Sequence, residues 1–446
     1  MRNVLVIAFS CLCLMPLSLR AQESLDLEKA IQLGLENNLQ IKIAVDNAEV
    51  RDLELKAGKG LLLPVVNSTY LRSYSNEDVT QRFLNDPAPR EIDGAKSRNS
   101  NFNIAGVYGF RPDAVVSIKR LGQLAEIGEL ESKVTVENTI AGISTAYYRL
   151  ILEQQRYQVL KETLRLSKNR LEIAQSQYEL GGAGKRDFLT AQVDYNADSS
   201  LLLTQEQIIQ NAQVNLNELL AIDPNTTFLI RDSITIAGVL ALEELEENAF
   251  LENKQLLVNQ RQKNVAFLQT RELQAQRLPV LNFNGSYVNN TLNSDAGFLI
   301  QNQRSGFNYG GSVTINLFSG LTLNRRIQSA KVNQRITDNT YEQFEIQLKS
   351  DIRRAYNTYE NNLALLEIEK RNFEVAKENT EIALERFRLG IASYLEFRDA
   401  QVNLLTAENR LITSIYNIKE QEIELLRLSG KIFFENANEE FVPGAN

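Results

Sequence analysis

Three carboxylates stand out in this chain because each follows a glycine at the end of a predicted helix. Asp187 lies six residues after Gly181, and Glu396 lies six residues after Gly390. Asp399 lies three residues beyond Glu396, so these two acids share one face of a helix. An acid in the first turn of a helix also stabilises that helix by about 0.3–1 kcal/mol, through the helix dipole. The three positions therefore fit either a functional carboxylate or a helix-end charge.

The residues missing from the chain limit its chemistry. There is no histidine or tryptophan, and both cysteines, Cys11 and Cys13, lie within the first 21 residues. The remainder has no imidazole base, no thiolate nucleophile and no soft metal ligand. Carboxylate chemistry such as glycoside hydrolysis needs a cleft and a paired set of acids, and the long helices predicted below provide neither. We therefore expect no enzyme activity, no metal and no cofactor.

The first 21 residues have the layout of a secretory signal peptide. A short basic start is followed by a mostly apolar run over 4–19 and by the small residue Ala21. The run is too short for a membrane-spanning helix, so we assign residues 1–21 as a signal peptide. Its removal takes away Arg2 and Arg20 and brings the formal charge from -8 to about -10. An acidic chain without a basic stripe is a poor nucleic-acid binder, so no nucleic-acid partner is expected.

A long internal repeat with a spacing of 209 residues determines the architecture. Its clearest matching segments are Tyr178–Ala183 with Phe387–Ala392, Asp187-Phe188 with Glu396-Phe397, and Ala191–Val193 with Ala400–Val402. A unit of this length is too large for a solenoid repeat, so each copy is half of one structure. We predict repeat 1 over residues 22–232, repeat 2 over 233–440 and a C-terminal tail over 441–446.

The distribution of proline predicts very long helices. No proline occurs between Pro112 and Pro224 or between Pro279 and Pro443, and a proline inside a helix costs about 3 kcal/mol. This pattern predicts two helices of about 65 residues, each roughly 100 Å long. The predicted long helices are 118–180 and 321–389, and the helices that return from the glycine tips are 187–221 and 395–429. Each copy thus contains a long antiparallel helical hairpin that must pack side by side with others, as in coiled coils.

Strand-like alternation appears at the opposite end of each copy. Apolar residues alternate with small or polar ones over four segments, which are 65–74, 101–110, 281–288 and 307–317. Segments of about ten residues with this pattern are typical of transmembrane β-barrel strands. The connecting segments 75–100 and 290–305 are predicted to be polar loops. A soluble helical protein with a small β-sandwich cap would explain the hairpins but not this alternation.

Four strands are too few to close a membrane barrel, and an open sheet edge is not tolerated in lipid. Several chains must therefore share one barrel. Two chains of four strands would give eight strands, whose interior fills with side chains, and three chains would give twelve, which leaves room for water.

Taken in order, these features resemble the TolC-like outer-membrane efflux protein family. Leu25–Ala30, continuing through Glu36–Asn38, resembles the first helix of that family. Asn316–Gly320 followed by Asn324–Arg326 resembles its strand-to-helix junction. The glycine tips, with an aromatic residue three positions before and an acid six positions after, are similar to its periplasmic tips. The resemblance covers nearly the whole mature chain, and its specificity comes from the order, duplication and spacing of these motifs.

The resemblance implies a mainly α protein with a β-barrel portion. Three chains would contribute four strands each to a shared 12-stranded transmembrane β-barrel in outer-membrane lipid, and their hairpins would form a trimeric α-barrel in the periplasm. The expected function is the passive exit duct of a tripartite efflux or secretion system, with an inner-membrane pump and a periplasmic adaptor (membrane fusion) protein as partners. The alternative is a periplasmic structural coiled-coil protein without a pore.

The resemblance also implies roles for residues at the tips. Asp187, Glu396 and Asp399 would line the periplasmic aperture, where rings of carboxylates from three chains favour cations. The adaptor would dock on two sets of tip residues, which are Tyr178, Leu180, Gly181 and Gly182 in repeat 1 and Phe387, Leu389, Gly390 and Ile391 in repeat 2. Helix capping alone would require the same glycines. Phe387 and Ala392 replace a tyrosine and an arginine of the family, which argues against a closed-state lock through those groups.

Overall fold

A computed structural model of the chain describes residues 24–432, except for 85, 183 and 237. The predicted signal peptide and the predicted tail at 441–446 lie outside these residues. The first part of the chain forms helices α1 (Leu27–Asn37) and α2 (Leu39–Lys59), strands β1 (Val65–Phe83) and β2 (Asp86–Phe110), and helices α3 (Pro112–Glu179) and α4 (Lys185–Leu219). The second part forms α5 (Leu242–Glu252), α6 (Lys254–Ala275), β3 (Val280–Ser294), β4 (Gln301–Thr314), α7 (Thr322–Arg388) and α8 (Tyr394–Ser429). The same order of elements therefore occurs twice, while the repeat boundaries stay a prediction.

The long helices are present in both halves. Helix α3 has 68 residues and α7 has 67, and each is followed by its return helix. Helix α3 begins several residues before the predicted start, because Pro112 occupies the first turn, where its missing N–H costs nothing. Asp113 follows in the same turn and pairs with Arg111 at 2.7 Å. Among the described residues, none of the helices is both long and apolar enough to cross a membrane.

The four strands form one antiparallel sheet in the order β1-β2-β3-β4. The hairpin of the first half thus lies beside the hairpin of the second half, with Ile104 of β2 opposite Tyr287 of β3. The outer strands β1 and β4 each leave one edge unpaired within the described sheet. A single chain therefore provides an open sheet of four strands rather than a closed barrel.

The predicted loops at the far end of the sheet are wrong in extent. Residues 75–100 mostly continue the first hairpin, whose pairing runs from Val65 opposite Val107 to Phe83 opposite Asp86. Pairing of β3 and β4 likewise shortens the second loop to residues 295–300. The sequence pattern missed these strands because alternation is visible only where one face is apolar, whereas backbone hydrogen bonds also join strands whose side chains are polar.

Packing in the helical part occurs along stripes between helices instead of in one globular core. Helix α3 packs against α2, α4, α6 and α8, whereas α7 packs against α5, α6 and α8. In the first half, Ile143 and Leu150 of α3 are fully buried with Leu216 of α4. In the second half, Tyr359 of α7 is buried with Ile418 of α8. Helix α3 therefore packs against helices of its own half, α2 and α4, and of the other half, α6 and α8.

Candidate functional site

The sheet has one apolar face, which the strand register defines. Residues directly opposite each other point to the same side, so Ile104, Tyr287 and Phe307 lie in one row across β2, β3 and β4. The rings of Tyr287 and Phe307 are 5.0 Å apart. Other exposed members of this face are Val66, Tyr70, Phe102, Phe110, Phe283, Tyr309 and Val313. Apolar exposure on this scale marks a surface that contacts lipid or protein.

The opposite face of the sheet carries mostly amides, hydroxyls and glycines, together with the apolar side chains of Val65, Leu71 and Val107. One row consists of Asn101, Asn290 and Arg304, and the amide of Asn290 donates to Asn99 at 2.9 Å. Other members of this face are Asn67, Thr69, Asn103, Asn282, Asn284, Asn308 and Ser312. A sheet with one apolar and one amide-rich face can separate lipid from water, as the strands of a membrane barrel do.

Both helical tips are built on a left-handed glycine. Gly181 has φ 74° and Gly390 has φ 72°, a conformation that favours glycine. The N–H of Gly182 donates to Gln177 O at 2.8 Å, and the N–H of Ile391 donates to Arg386 O at 2.9 Å. This is the hydrogen-bond pattern of a glycine-capped helix end, and it reverses the chain into the return helix in both halves.

The two aromatic residues of the predicted docking tips close the hairpins. Tyr178 stacks on Phe188 with ring centroids 5.9 Å apart, and Phe387 stacks on Phe397 at 5.6 Å. Phe387 is buried, so its ring is not available at the surface. Tyr178 is 39% exposed, and the most exposed apolar residues of the two turns are Leu180, Leu389 and Ile391, at 87%, 72% and 67%.

The three predicted aperture acids lie at the starts of the return helices. Asp187 is in the first turn of α4 and pairs with Arg186 at 3.6 Å. Glu396 is in the first turn of α8, where its carboxylate lies 2.9 Å from Arg386 of α7. Asp399 is exposed almost one turn further along α8. The helix-end role of Asp187 and Glu396 is therefore present, and an arginine of the same chain offsets part of each charge.

A buried polar cluster near the tips was not predicted from the sequence. We call it the seam cluster, because it joins α3 and α4 to α8; its members are Ser167, Arg170, Asp194, Asp198, Tyr394, Arg398 and Gln401. Arg170 has no exposed surface and donates to Gln401 at 2.9 Å and to Asp194 at 3.2 Å. Arg398 pairs with Asp198 at 3.0 Å.

The seam cluster is desolvated and closely interconnected. The hydroxyl of Tyr394 donates to Asp194, and the Arg170 guanidinium lies 4.9 Å from the Tyr394 ring centroid. Burial lowers the pKa of the Arg170 guanidinium and raises the pKa of the Tyr394 phenol. Ser167 donates to Asp198, so both carboxylates have partners from two or more helices. The cluster therefore ties the first hairpin to the second.

Another buried acid lies in the body of the helical part. Glu137 of α3 is buried and its Oε1 has no hydrogen-bond partner within the described chain. Burial raises the pKa of its carboxyl to about 7, although the nearby cations Lys254 and Arg427 act to lower that pKa; Glu252 raises it further. The fold therefore holds a proton on Glu137 over a pH range in which the unfolded chain has already lost it.

We expect Glu137→Gln to flatten the pH dependence of stability. In the wild type the folded-state pKa lies above the unfolded one, so stability present below about pH 4.5 is lost as the pH rises to about 7. The loss is on the order of 3 kcal/mol at most. Thermal unfolding in detergent at about pH 5 and about pH 8 tests this. An equal pH dependence in variant and wild type would contradict it.

Metal-binding side chains are not gathered together among the described residues. These residues contain no cluster of three or more side chains that could hold a metal ion. One open groove lies between α7 and α8, where Asn362, Leu365 and Arg410 line it.

Comparison with known proteins finds similarity to outer-membrane efflux proteins. The model of the outer membrane efflux protein family matches residues 245–431. The probable efflux pump outer membrane protein TtgC and the antibiotic efflux pump outer membrane protein ArpC, both of Pseudomonas putida, are each 21% identical to this chain over 427 residues. That alignment covers 93% of this chain and 84% of each relative.

Solved outer-membrane channels share the fold. The Campylobacter jejuni CmeC outer membrane channel superposes with a TM-score of 0.77 at 16% identity, over 93% of this chain and 90% of CmeC. The outer membrane protein VceC of Vibrio cholerae gives 0.76 at 16% identity, over 91% and 96%. The predicted combination of an α-barrel and a β-barrel is thereby confirmed as the fold class. The outer membrane efflux protein model thus matches the second half of this chain, and solved outer-membrane channels share the fold of nearly its whole length.

Proposed function

We propose that this protein is the outer-membrane exit duct of a tripartite efflux or secretion system. It conducts substrate passively from an inner-membrane pump and a periplasmic adaptor across the periplasm and the outer membrane. The observation that carries this proposal is a four-stranded sheet with an apolar face and two unpaired edges, joined to helices of roughly 100 Å. The apolar face of the strands can contact lipid, and the helices are long enough to extend through the periplasm.

The unpaired edges support a homotrimer. In lipid, the N–H and C=O groups of β1 and β4 need partners, and neighbouring copies of the chain can provide them. Three copies of a four-stranded sheet make a barrel of twelve strands, which is wide enough for water. The amide-rich face would then line the lumen, and the duct would catalyse no reaction.

A structural coiled coil without a pore is not supported. Such a protein would be surrounded by water, where the aromatic face of the sheet would be a large exposed apolar patch. No observation on the described chain favours it over the duct.

We also propose that Asp187, Glu396 and Asp399 line the periplasmic aperture and give the duct cation preference. In planar bilayers, the Glu396→Gln, Asp399→Asn double variant is expected to lower the cation-to-anion permeability ratio several-fold, because two carboxylate rings disappear. A matched control removes the same charge from Glu342 and Glu345, far from the tip along α7. Unchanged selectivity of the tip variant, or an equal change in the control, would contradict the aperture assignment.

The adaptor is proposed to dock at the tips on Leu180, Leu389 and Ile391, together with the glycines beside them. These side chains project into solvent, whereas Phe387 is buried against Phe397 inside the second hairpin. A photocrosslinker placed at Gly182 or Ile391 is expected to capture a co-expressed adaptor. Capture only from mid-helix positions, such as Ile346 on α7, would count against tip docking.

A further inference from the structure

Two glutamines at equivalent positions of the internal repeat lie in different environments. Gln401 of α8 and Gln192 of α4 occupy equivalent positions in the matching segments Ala400–Val402 and Ala191–Val193. Gln401 is 2% exposed, because its carboxamide is seated on α3. It accepts from Arg170, and its Nε2 donates to the carbonyl of Thr163 and to the hydroxyl of Ser167, both at 3.0 Å. Gln192, in contrast, is exposed.

The helix that would receive Gln192 is exposed at the corresponding place. The repeat relates Thr163 and Arg170 of α3 to Asn372 and Asn379 of α7, and both asparagines are exposed. Helix α3 packs against α8, but the equivalent pairing of α7 with α4 is not one of the main helix packings of the described chain. Likewise, α3 packs against α6, but the equivalent pairing of α7 with α2 is not one of the main helix packings of the described chain.

Apolar side chains accompany both exposed flanks. Val193 and Leu203 of α4 are 66% and 69% exposed, and Val375 of α7 is 67% exposed. Each of these helices has its inner face packed in its own hairpin, so these residues form a second face. A second copy of the chain fits these flanks. The repeat-related helices α3 and α8 already pack against each other within one chain, so α7 of one copy can pack against α4 of another in the same way.

We propose that Gln192 of one protomer docks on α7 of the next protomer, in the register that Gln401 uses on α3. Its Nε2 would donate to the backbone carbonyl of Asn372, which any residue at that position provides, and its carboxamide would meet the Asn379 side chain. The proposal rests on the trimer of the proposed function and identifies its contact near the tips.

The contact between chains differs from the contact within a chain. The repeat counterparts of Arg170, Asp194 and Asp198 are Asn379, Asn403 and Ala407, and those of Tyr394 and Arg398 are Lys185 and Leu189. The glutamine is thus repeated, but the ion pairs of the seam cluster are not. Near the tips, amide and apolar contacts without ion pairs hold neighbouring protomers together. The hairpins of two neighbouring protomers therefore separate more readily than the two hairpins of one protomer, which the seam cluster joins.

Paired cysteines test this register directly. Residues 22–446 contain no cysteine, so introduced thiols are the only ones in the mature chain. In the full-length protein in its membrane, Gln192→Cys with Asn379→Cys is expected to give covalent dimers and trimers with a short bis-maleimide. The control combines Gln192→Cys with Lys377→Cys. Residues 377 and 379 are two positions apart, so they lie on nearly opposite flanks of α7.

The outcomes separate this inference from the proposed function. Crosslinked trimers from the Gln192 and Asn379 pair, with little product from the Lys377 control, would support the register. A native-mass trimer in which the Asn379 pair gives no interchain product, or no more than the control, would overturn the register and leave the duct standing. A protein that remains monomeric in detergent and in the membrane would overturn both.

Discussion

Replacing Phe307 by arginine is expected to prevent assembly in the outer membrane, whereas the same replacement at Asn308 is expected to be tolerated. Phe307 is 80% exposed on the apolar face, near the middle of the four-stranded part of the sheet. An arginine facing lipid near the middle of a bilayer costs about 2–4 kcal/mol, and a homotrimer would incur this cost in each copy. Asn308 points to the opposite face because neighbouring side chains of a strand alternate.

Fractionation of the outer membrane, followed by native gels of the extracted protein, measures this pair of variants. The Asn308→Arg protein should reach the membrane as an oligomer and conduct with a greater preference for anions, because new cations line its lumen. Equal assembly of the two variants would contradict the assignment of the aromatic face to lipid. Failure of Asn308→Arg alone would reverse the assignment of the two faces.

The second large effect is expected at Arg170 in the seam cluster. Replacing it by alanine removes the fully buried cation that donates to Asp194 and to the oxygen of Gln401, which keep only the longer contacts with Arg398 at 3.5 and 3.4 Å and the Tyr394 hydroxyl on Asp194. Removing one partner from a buried ion pair typically destabilises a protein by about 3–5 kcal/mol. Arg165, five residues earlier, pairs with Glu162 on the surface, where such a pair contributes about 0–1 kcal/mol. We therefore expect Arg170→Ala to loosen the tips and Arg165→Ala to leave them unchanged.

Hydrogen exchange of the tip segments, with thermal unfolding of the purified protein, measures the difference. The Arg170→Ala variant should exchange faster in the last turns of α3 and the first turns of α8, and it should unfold at a lower temperature. Similar exchange in the two arginine variants would show that the seam cluster does not hold the two hairpins together.

The sequence predicted those features that depend on local pattern. Absence of proline and the glycines at 181 and 390 were sufficient for the long hairpins, because helix breakers and caps act within a few residues. The aromatic alternation in β4 was sufficient for a strand. The polar continuation of β1 and β2 was missed, because pairing there depends on backbone partners that no side-chain pattern reveals.

The seam cluster could not be predicted in this way. Arg170 and Gln401 are 231 residues apart in the chain, and Asp198 and Arg398 are 200 apart, so only the packing of α8 on the first hairpin brings them together. The aperture acids were found from their spacing to the glycines, but the ion pair of Glu396 with Arg386 depends on how the tip turns. Comparison of the two repeats was the one signal in the sequence, since Asn379 and Ala407 replace Arg170 and Asp198.

The most direct test of the duct is a reconstruction of the purified protein in lipid nanodiscs by electron cryo-microscopy. We expect three chains that share one barrel of twelve strands, four from each chain, with a lumen that continues into the helical tunnel. The aromatic face should meet the lipid, and the amide-rich face should meet the lumen. A protein without a closed barrel, or one whose sheet packs against its own helices outside the lipid, would contradict it.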